Sequence, residues 1–206
     1  MSGYFITGTD TGVGKTVAAA WLMLALDADY WKPVQAGLAG ETDSEAVRRM
    51  TGFGDERFHE PPYRLRAPLS PHEAAKREGI AIDLKTIRMP ATPRPLIVEG
   101  AGGVLVPLNA RANMADLMAE LGLPVILVAR SALGTINHTL LSLEALRRRR
   151  IPVAGVIING PRDVSNCDAI SAFGNVPVIG ELPVLDTIDK GALAAVAPML
   201  PLAAAS

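Results

Sequence analysis

Gly8-Thr9-Asp10-Thr11-Gly12-Val13-Gly14-Lys15-Thr16 follows the apolar run Tyr4 to Thr7 and opens the helical pattern Lys15 to Leu26. A strand, a glycine-bearing turn, a Lys-Thr pair and a helix in that order are the context of a phosphate-binding loop. Gly12 and Gly14 let backbone N–H groups close on phosphate oxygens, and the helix beginning near Lys15 adds the positive end of its dipole. Lys15 is expected to reach the β and γ phosphates, and the Thr16 hydroxyl to ligate Mg2+. The spacing departs from the common G-x-x-x-x-G-K-[ST] pattern by one position, because Thr9 stands where the first glycine belongs and Gly8 precedes it. The competing reading is a glycine-rich turn that merely carries a lysine.

Outward from the loop, short apolar runs alternate with longer helical patterns. The expected strands are Tyr4 to Thr7, Tyr30 to Val34, Leu96 to Glu99, Val125 to Ala129, Val153 to Asn159 and Val178 to Glu181. The expected helices are Lys15 to Leu26, Asp43 to Met50, Pro71 to Glu78, Met114 to Leu121, Thr135 to Arg149 and Asp163 to Phe173. This alternation predicts an α/β fold, a mostly parallel sheet flanked by helices on both faces, of P-loop NTPase-like type. With 206 residues the chain has room for one such domain, expected to span 1–206. No internal repeat is visible. The stretch Gly52 to Leu69, with Gly, Pro, Arg and His, reads either as a loop that closes over a site or as a plain surface connection. Arg147 to Arg150 reads as a solvated helix end, where cations meet the negative end of the dipole. The Ala- and Pro-rich tail after Gly191 carries no assigned element.

Composition narrows the function classes. A net charge of -1 supplies no basic field for nucleic acid or anionic lipid, so neither is an expected partner. Cys167 is the single cysteine, which leaves no internal disulfide or cysteine metal cluster and suits a reducing cytoplasm. Met1 to Thr7 lacks the basic start and apolar core of a signal peptide. Apolar runs such as Pro124 to Ala129 fall far short of the ~20 residues that cross a bilayer.

Ions and substrates in such folds lie where strands end. Glu99 closes Leu96-Ile97-Val98 and precedes Gly100-Ala101-Gly102-Gly103, which places a carboxylate beside a glycine-lined cleft with a direct or indirect Mg2+ role. Asp43 begins a helix after a glycine-containing loop, so it reads either as an N-cap or as a second acidic group at the site. Lys32 ends Tyr30-Trp31 and precedes Pro33. It reads either as a snorkelling strand-end lysine or, with Lys15, as one of a cationic pair around a transferring phosphoryl group.

The loop, together with Lys32-Pro33-Val34 and Val98-Glu99-Gly100-Ala101-Gly102-Gly103, resembles the dethiobiotin synthetase family. Ser70-Pro71-His72, Pro124-Val125-Ile126-Leu127-Val128, Leu133-Gly134-Thr135-Ile136-Asn137-His138, Gly155-Val156-Ile157-Ile158-Asn159 and Gly180-Glu181-Leu182-Pro183 extend the similarity from Thr7 to about Pro183. The resemblance implies ATP, Mg2+, 7,8-diaminononanoate and CO2, a homodimer, and closure of a ureido ring. It implies Lys32 and Lys15 as catalytic groups and Thr16, Asp43 and Glu99 as Mg2+ ligands. The nucleotide would lie on Gly12, Val13, Gly14, Lys15, Thr16, Val17, Asp43, Glu99, Gly100, Ala101 and Gly102, with Asn159, Gly160, Leu182, Pro183 and Val184 at the base. The substrate would meet Thr11, Lys32 and Ala36, and its distant carboxylate the helix start Gly134, Thr135, Ile136 and Asn137 in a cleft shared across the dimer.

Two departures from the family pattern stand out. Ala36 replaces a common Ser or Thr, and Gly12 fills a position that is often acidic. Three other enzyme classes stay open on the sequence. A partitioning-type switch ATPase carries a signature lysine where this chain has Asp10. An amidoligase of the corrin-pathway type usually adds a glutaminase domain, and a small-molecule kinase would leave phosphate on its product.

Overall fold

The computed structural model describes residues 2–196 and 198. Strand β1 (Gly3–Gly8) is buried along its whole length. Tyr4 and Ile6 join one core cluster while Phe5 joins the other. Two covered faces explain why this run reads as continuously apolar rather than alternating.

The remaining strands are β2 (Asp29–Trp31), β3 (Val34–Ala36), β4 (Phe58–His59), β5 (Tyr63–Leu65), β6 (Leu96–Gly103), β7 (Val125–Arg130), β8 (Val153–Asn159) and β9 (Val178–Leu182). Seven of the strands form one sheet in the order β4-β2-β6-β1-β7-β8-β9, and every pairing within it is parallel. The order reverses at β1, with β2, β4 and β6 on one side and β7, β8 and β9 on the other. The crevice beyond the carboxyl end of β1 is therefore the switch point where ligands of such sheets bind.

Helices α1 (Lys15–Leu26), α2 (Asp43–Thr51) and α7 (Lys190–Ala194) cover the face of Tyr4 and Ile6 through Trp21, Leu22, Val47, Met50 and Leu193. The opposite face is covered by α3 (Pro71–Arg77), α4 (Met114–Leu121), α5 (Thr135–Arg148) and α6 (Val164–Gly174), which bury Ala74, Leu117, Leu143 and Ile170. The expected helices are all present to within a residue or so at each end. Asp163, expected inside α6, is instead its N-cap and accepts from the backbone N–H groups of Ser165 and Asn166.

One expected strand is not continuous. Tyr30 to Val34 breaks into β2 and β3 because Pro33 has no N–H to continue the ladder, and Lys32 sits in the break. β3 then pairs with β5 in a separate two-stranded sheet. The stretch 52–69 is consequently not a plain surface connection. It holds a 3-10 turn (Asp55–Arg57) followed by β4, which extends the main sheet at Tyr30 and Trp31, and β5, which pairs with Val34 to Ala36.

Buried charges anchor this segment at the amino end of β2. Asp29 accepts from Arg57 Nε at 2.8 Å and Thr92 Oγ1 at 2.6 Å, with His59 Nε2 at 3.2 Å. Burial pushes the Asp29 carboxyl up, but the hydrogen bonds from Thr92, Arg57 and His59 and the Arg57 charge outweigh it, so its pKa lies below the ordinary carboxylate value. At the far end of the chain α7 packs on α1, and Trp21 Nε1 donates to Val196 O at 2.9 Å. The rest of the Ala- and Pro-rich tail lies outside the described residues. Among the described residues no helix is long and apolar enough to cross a membrane.

Candidate active site

The phosphate loop hangs from the carboxyl end of β1 and is tied on three sides. Thr9 N donates to Val128 O at 2.9 Å, Arg130 pairs with Asp10 Oδ2 at 2.6 Å, and Asn159 Nδ2 donates to Val13 O at 3.1 Å. Gly12 and Gly14 take φ values of +72° and +94°, where side chains are strained. The displaced first glycine also has a steric reason. A Cβ on Gly8 would stand 2.7 Å from Val13 Cγ2 and 2.8 Å from Asp10 O, so the loop crosses its own strand at position 8 and leaves position 9 free to be threonine.

Lys15 begins α1 and is buried, its ammonium donating to Asp10 O at 3.0 Å. Burial lowers its pKa, and the neighbouring charge of Lys32 lowers it further, against Glu99 and Asp43, which raise it. Thr16, the next residue, reaches the acidic pair. Its hydroxyl lies 2.7 Å from Asp43 Oδ1 and 3.2 Å from Glu99 Oε1.

Lys32 closes the arrangement. Its ammonium is 2.8 Å from Asp43 Oδ2 and 2.9 Å from Glu99 Oε1, and the residue is buried, so it is an ion-paired lysine and not a snorkelling one. Burial alone would lower its pKa, but the two carboxylates reverse the sign and hold the ammonium protonated. Asp43 is likewise settled. Thr42 is the N-cap of α2 and forms a reciprocal capping box with Glu45. The Asp43 carboxylate is thereby left to Thr16 and Lys32, and Lys32 holds it below the ordinary value against a burial effect of opposite sign.

Two residues that sequence reasoning passed over complete this pair. Tyr30, fully buried, donates its hydroxyl to Glu99 Oε2 at 2.9 Å. Burial, then the charges of Glu99 and Asp43, raise its pKa well above the ordinary value, so the phenol is a proton donor in this bond. Gln35 Oε1 accepts from the Asp43 backbone N–H at 3.3 Å. A tyrosine in an apolar strand reads as core. The available signal was the period of two that sets Tyr30 on the same side of the strand as Lys32.

These groups face a cavity of about 750 Å³ whose lining includes Thr11, Gly12, Gly14, Lys15, Thr16, Val17, Lys32, Ala36, Asp43, Glu99, Ala101 and Gly102. Pro68 and Leu69, at the end of the stretch read as a possible loop over a site, supply further walls with Ser70 and Val106. Gly100 faces away, a Cβ there meeting the Phe5 ring at 2.8 Å, and the Val13 side chain is buried beneath the loop. Asn159 lies against Gly14 on the other side of the loop. Gly160 donates to Leu182 O at 2.9 Å, and Pro183 and Val184 are exposed just beyond β9. Gly134, Thr135, Ile136 and Asn137, at the start of α5, do not line the cavity.

The family model described as "AAA domain" matches residues 2–192. The biotin biosynthesis bifunctional protein BioCD of Bordetella avium is 54% identical over 192 residues, which are 93% of this chain and 41% of that longer protein. The ATP-dependent dethiobiotin synthetase BioD of Paramagnetospirillum magneticum is 52% identical over 198 residues, 96% of each chain. That of Agrobacterium fabrum is 51% identical over 92% of this chain and 90% of its own. Among solved structures, the ParA family ATPase of Chlorobium tepidum aligns with a TM-score of 0.52 at 14% identity over 94% of this chain and 89% of that one. The septum site-determining protein MinD of Pyrococcus horikoshii, complexed with Mg-ADP, gives 0.55 at 14% over 94% and 86%. The structural likenesses show the fold alone, whereas the sequence identities over nearly whole chains carry more, and by them this chain belongs to the ATP-dependent dethiobiotin synthetase family.

Proposed function

We propose that the chain closes the ureido ring of dethiobiotin from 7,8-diaminononanoate, CO2 and ATP, through a carbamate and a carbamic-phosphoric anhydride, releasing ADP and phosphate. It is an ATP-dependent ligase of biotin biosynthesis, and the observation that carries this chemistry is the convergence of Lys15, Thr16, Lys32, Asp43 and Glu99 on one cavity. One amine of the diamine takes up CO2 and loses a proton to become a carbamate. A carbamate oxygen attacks the γ phosphorus and ADP leaves. The second amine attacks the carbonyl carbon, losing its proton as phosphate departs.

The protein's share is position and charge. The amides of Gly12 to Thr16 and the Lys15 ammonium receive the phosphates. Lys32 lies where it can hold the carbamate oxygen and the transferring phosphoryl group together. Thr16 presents one hydroxyl, and Asp43 Oδ1 and Glu99 Oε1 lie 2.7 and 3.2 Å from it. Such a hard, all-oxygen set suits Mg2+ shared with phosphate oxygens. Bound there, Mg2+ would neutralise charge on the β and γ phosphates. Asn159, Gly160, Leu182, Pro183 and Val184 are assigned to the base, and Thr11 and Ala36 to the diamine. Ala36 brings no hydroxyl to the carbamate, so Lys32 carries that contact.

The diamine's distant carboxylate is assigned to the start of α5 in a partner subunit of a cytoplasmic homodimer. Gly134 caps α5 without a side-chain bond, and the buried Thr135 Oγ1 has no hydrogen-bond partner among the described residues. The exposed apolar side chains Leu105, Leu133 and Leu141 favour a covered face in that region. Measuring ATP hydrolysis with and without 7,8-diaminononanoate and bicarbonate, with the product identified by mass, tests the reaction. Hydrolysis that neither substrate stimulates, or a product that keeps phosphate, overturns it.

A further inference from the structure

We propose that Tyr30 is a positioning residue for Mg2+, fixing the Glu99 carboxylate so that a single oxygen, Oε1, is presented to the site. The proposal rests on the reading that Thr16, Asp43 and Glu99 hold the ion.

The two oxygens of Glu99 have separate environments. Oε2 accepts from Tyr30 OH at 2.9 Å, away from the cavity. Oε1 faces Thr16 Oγ1 at 3.2 Å and Lys32 Nζ at 2.9 Å. Glu99 is 1% exposed, so no solvent substitutes for a lost donor. Register explains how β2 and the residue just beyond it serve both oxygens. Tyr30 pairs with Ile97 and Trp31 with Val98 on β6, and alternation puts the side chains of Tyr30 and Lys32 on the face that also carries Ile97 and Glu99. Tyr30 thus approaches Glu99 from below, while Lys32 approaches from the cavity. The Tyr30 ring is itself held against Phe58, with centroids 5.9 Å apart. A carboxylate free to rotate would exchange its oxygens between tyrosine, lysine and threonine. A carboxylate with one oxygen committed cannot, and groups that orient ligands in this way matter about tenfold to a hundredfold to metal affinity.

The test is Tyr30→Phe, which keeps the ring and removes the donor. Binding of ADP is followed by calorimetry as free Mg2+ is varied, and melting temperature is recorded beside it. The expected result is an Mg2+ midpoint raised about tenfold or more, with Mg2+-free ADP affinity unchanged within about twofold. In a Glu99→Gln background, Tyr30→Phe is expected to add nothing, because its action passes through Glu99. A lower melting temperature with an unmoved midpoint overturns the proposal and leaves Tyr30 as packing. An effect that persists in the Glu99→Gln background overturns it as well. Asp43→Asn is the control. If it moves the midpoint and Tyr30→Phe does not, only the Tyr30 assignment fails. If Asp43→Asn leaves the midpoint where it was, the Mg2+ reading fails and the proposal falls with it.

Discussion

Lys32 Nζ lies 2.9 Å from Glu99 Oε1, with the two side chains 5% and 1% exposed. A buried ammonium is costly unless paired, and this one is paired by groups that also face the phosphate loop. Its charge is therefore stabilised in place before any substrate arrives, which is the preorganisation that transition-state electrostatics require.

Lys32→Gln should lower kcat by roughly 10²- to 10³-fold while ADP affinity stays within about threefold, because the lost interaction is made chiefly to the transferring group. Steady-state rates beside calorimetric ADP binding check this. Equal losses in both would make Lys32 a nucleotide anchor.

Lys15→Ala should remove most activity, by roughly 10²-fold or more, and should weaken nucleotide binding too, since Lys15 belongs to the loop. The fold should survive, because burial depresses the Lys15 charge and makes it a cost of the folded state. Near-normal turnover in a protein that melts normally would remove Lys15 from the mechanism.

Gly8→Ala should weaken ADP binding about tenfold or more, because a Cβ 2.8 Å from the backbone oxygen of Asp10 forces the loop to shift. Gly40→Ala is the matched control, a Cβ there meeting nothing within 4 Å. Equal ADP affinities in the two variants would show that the loop absorbs the methyl group without losing its shape.

Asp29→Asn should destabilise the protein at neutral pH by roughly 2 kcal/mol, the order of a lost charged hydrogen bond, because Arg57 Nε, Thr92 and His59 lose their carboxylate while Arg57 keeps Asp27 and the Ala28 carbonyl. The pKa of Asp29 is depressed in the folded protein. Its contribution is thus fully present above the unfolded value of about 3.9 and is lost as pH falls through the lower folded value. Melting temperatures of the two proteins should differ most above about pH 5 and converge on acidification. A difference that grows toward low pH would reverse the assignment.

The layout of the main sheet apart from β4 was legible because each strand buried on both faces stands out as an apolar run, and most of the longer helices carry a cap or a periodic face. Gly8 to Thr16 marked the switch point directly. β4 and β5 were hidden because two- and three-residue strands such as Phe58–His59 are too short for any period, and their pairing with Tyr30 and Val34 is set by distant chain. Lys32 was legible as a charge at a strand end and Glu99 as one closing an apolar run, although β6 continues through it to Gly103; Tyr30 was not legible, since a buried phenol differs from a core phenylalanine only by what its hydroxyl meets. Asp43 was ambiguous for a local reason: Thr42 and Asp43 are both good caps, and only the Thr42–Glu45 exchange assigns the role.

The pairing of β1 with β6 has a consequence for how the protein comes into being. Thr16 and Glu99 are separated by 83 residues and Lys32 and Glu99 by 67, so a fragment of the chain short of β6 holds Asp43 but lacks the carboxylate that joins Thr16 and Lys32 on the other side. Closing such long loops is entropically uphill until the parallel ladder forms, and chains dominated by distant pairings fold slowly. A nucleotide that needs the finished site cannot assist at that stage. It stabilises the finished sheet by mass action, which makes the interval before β6 docks the period in which a newly made chain is most exposed to aggregation.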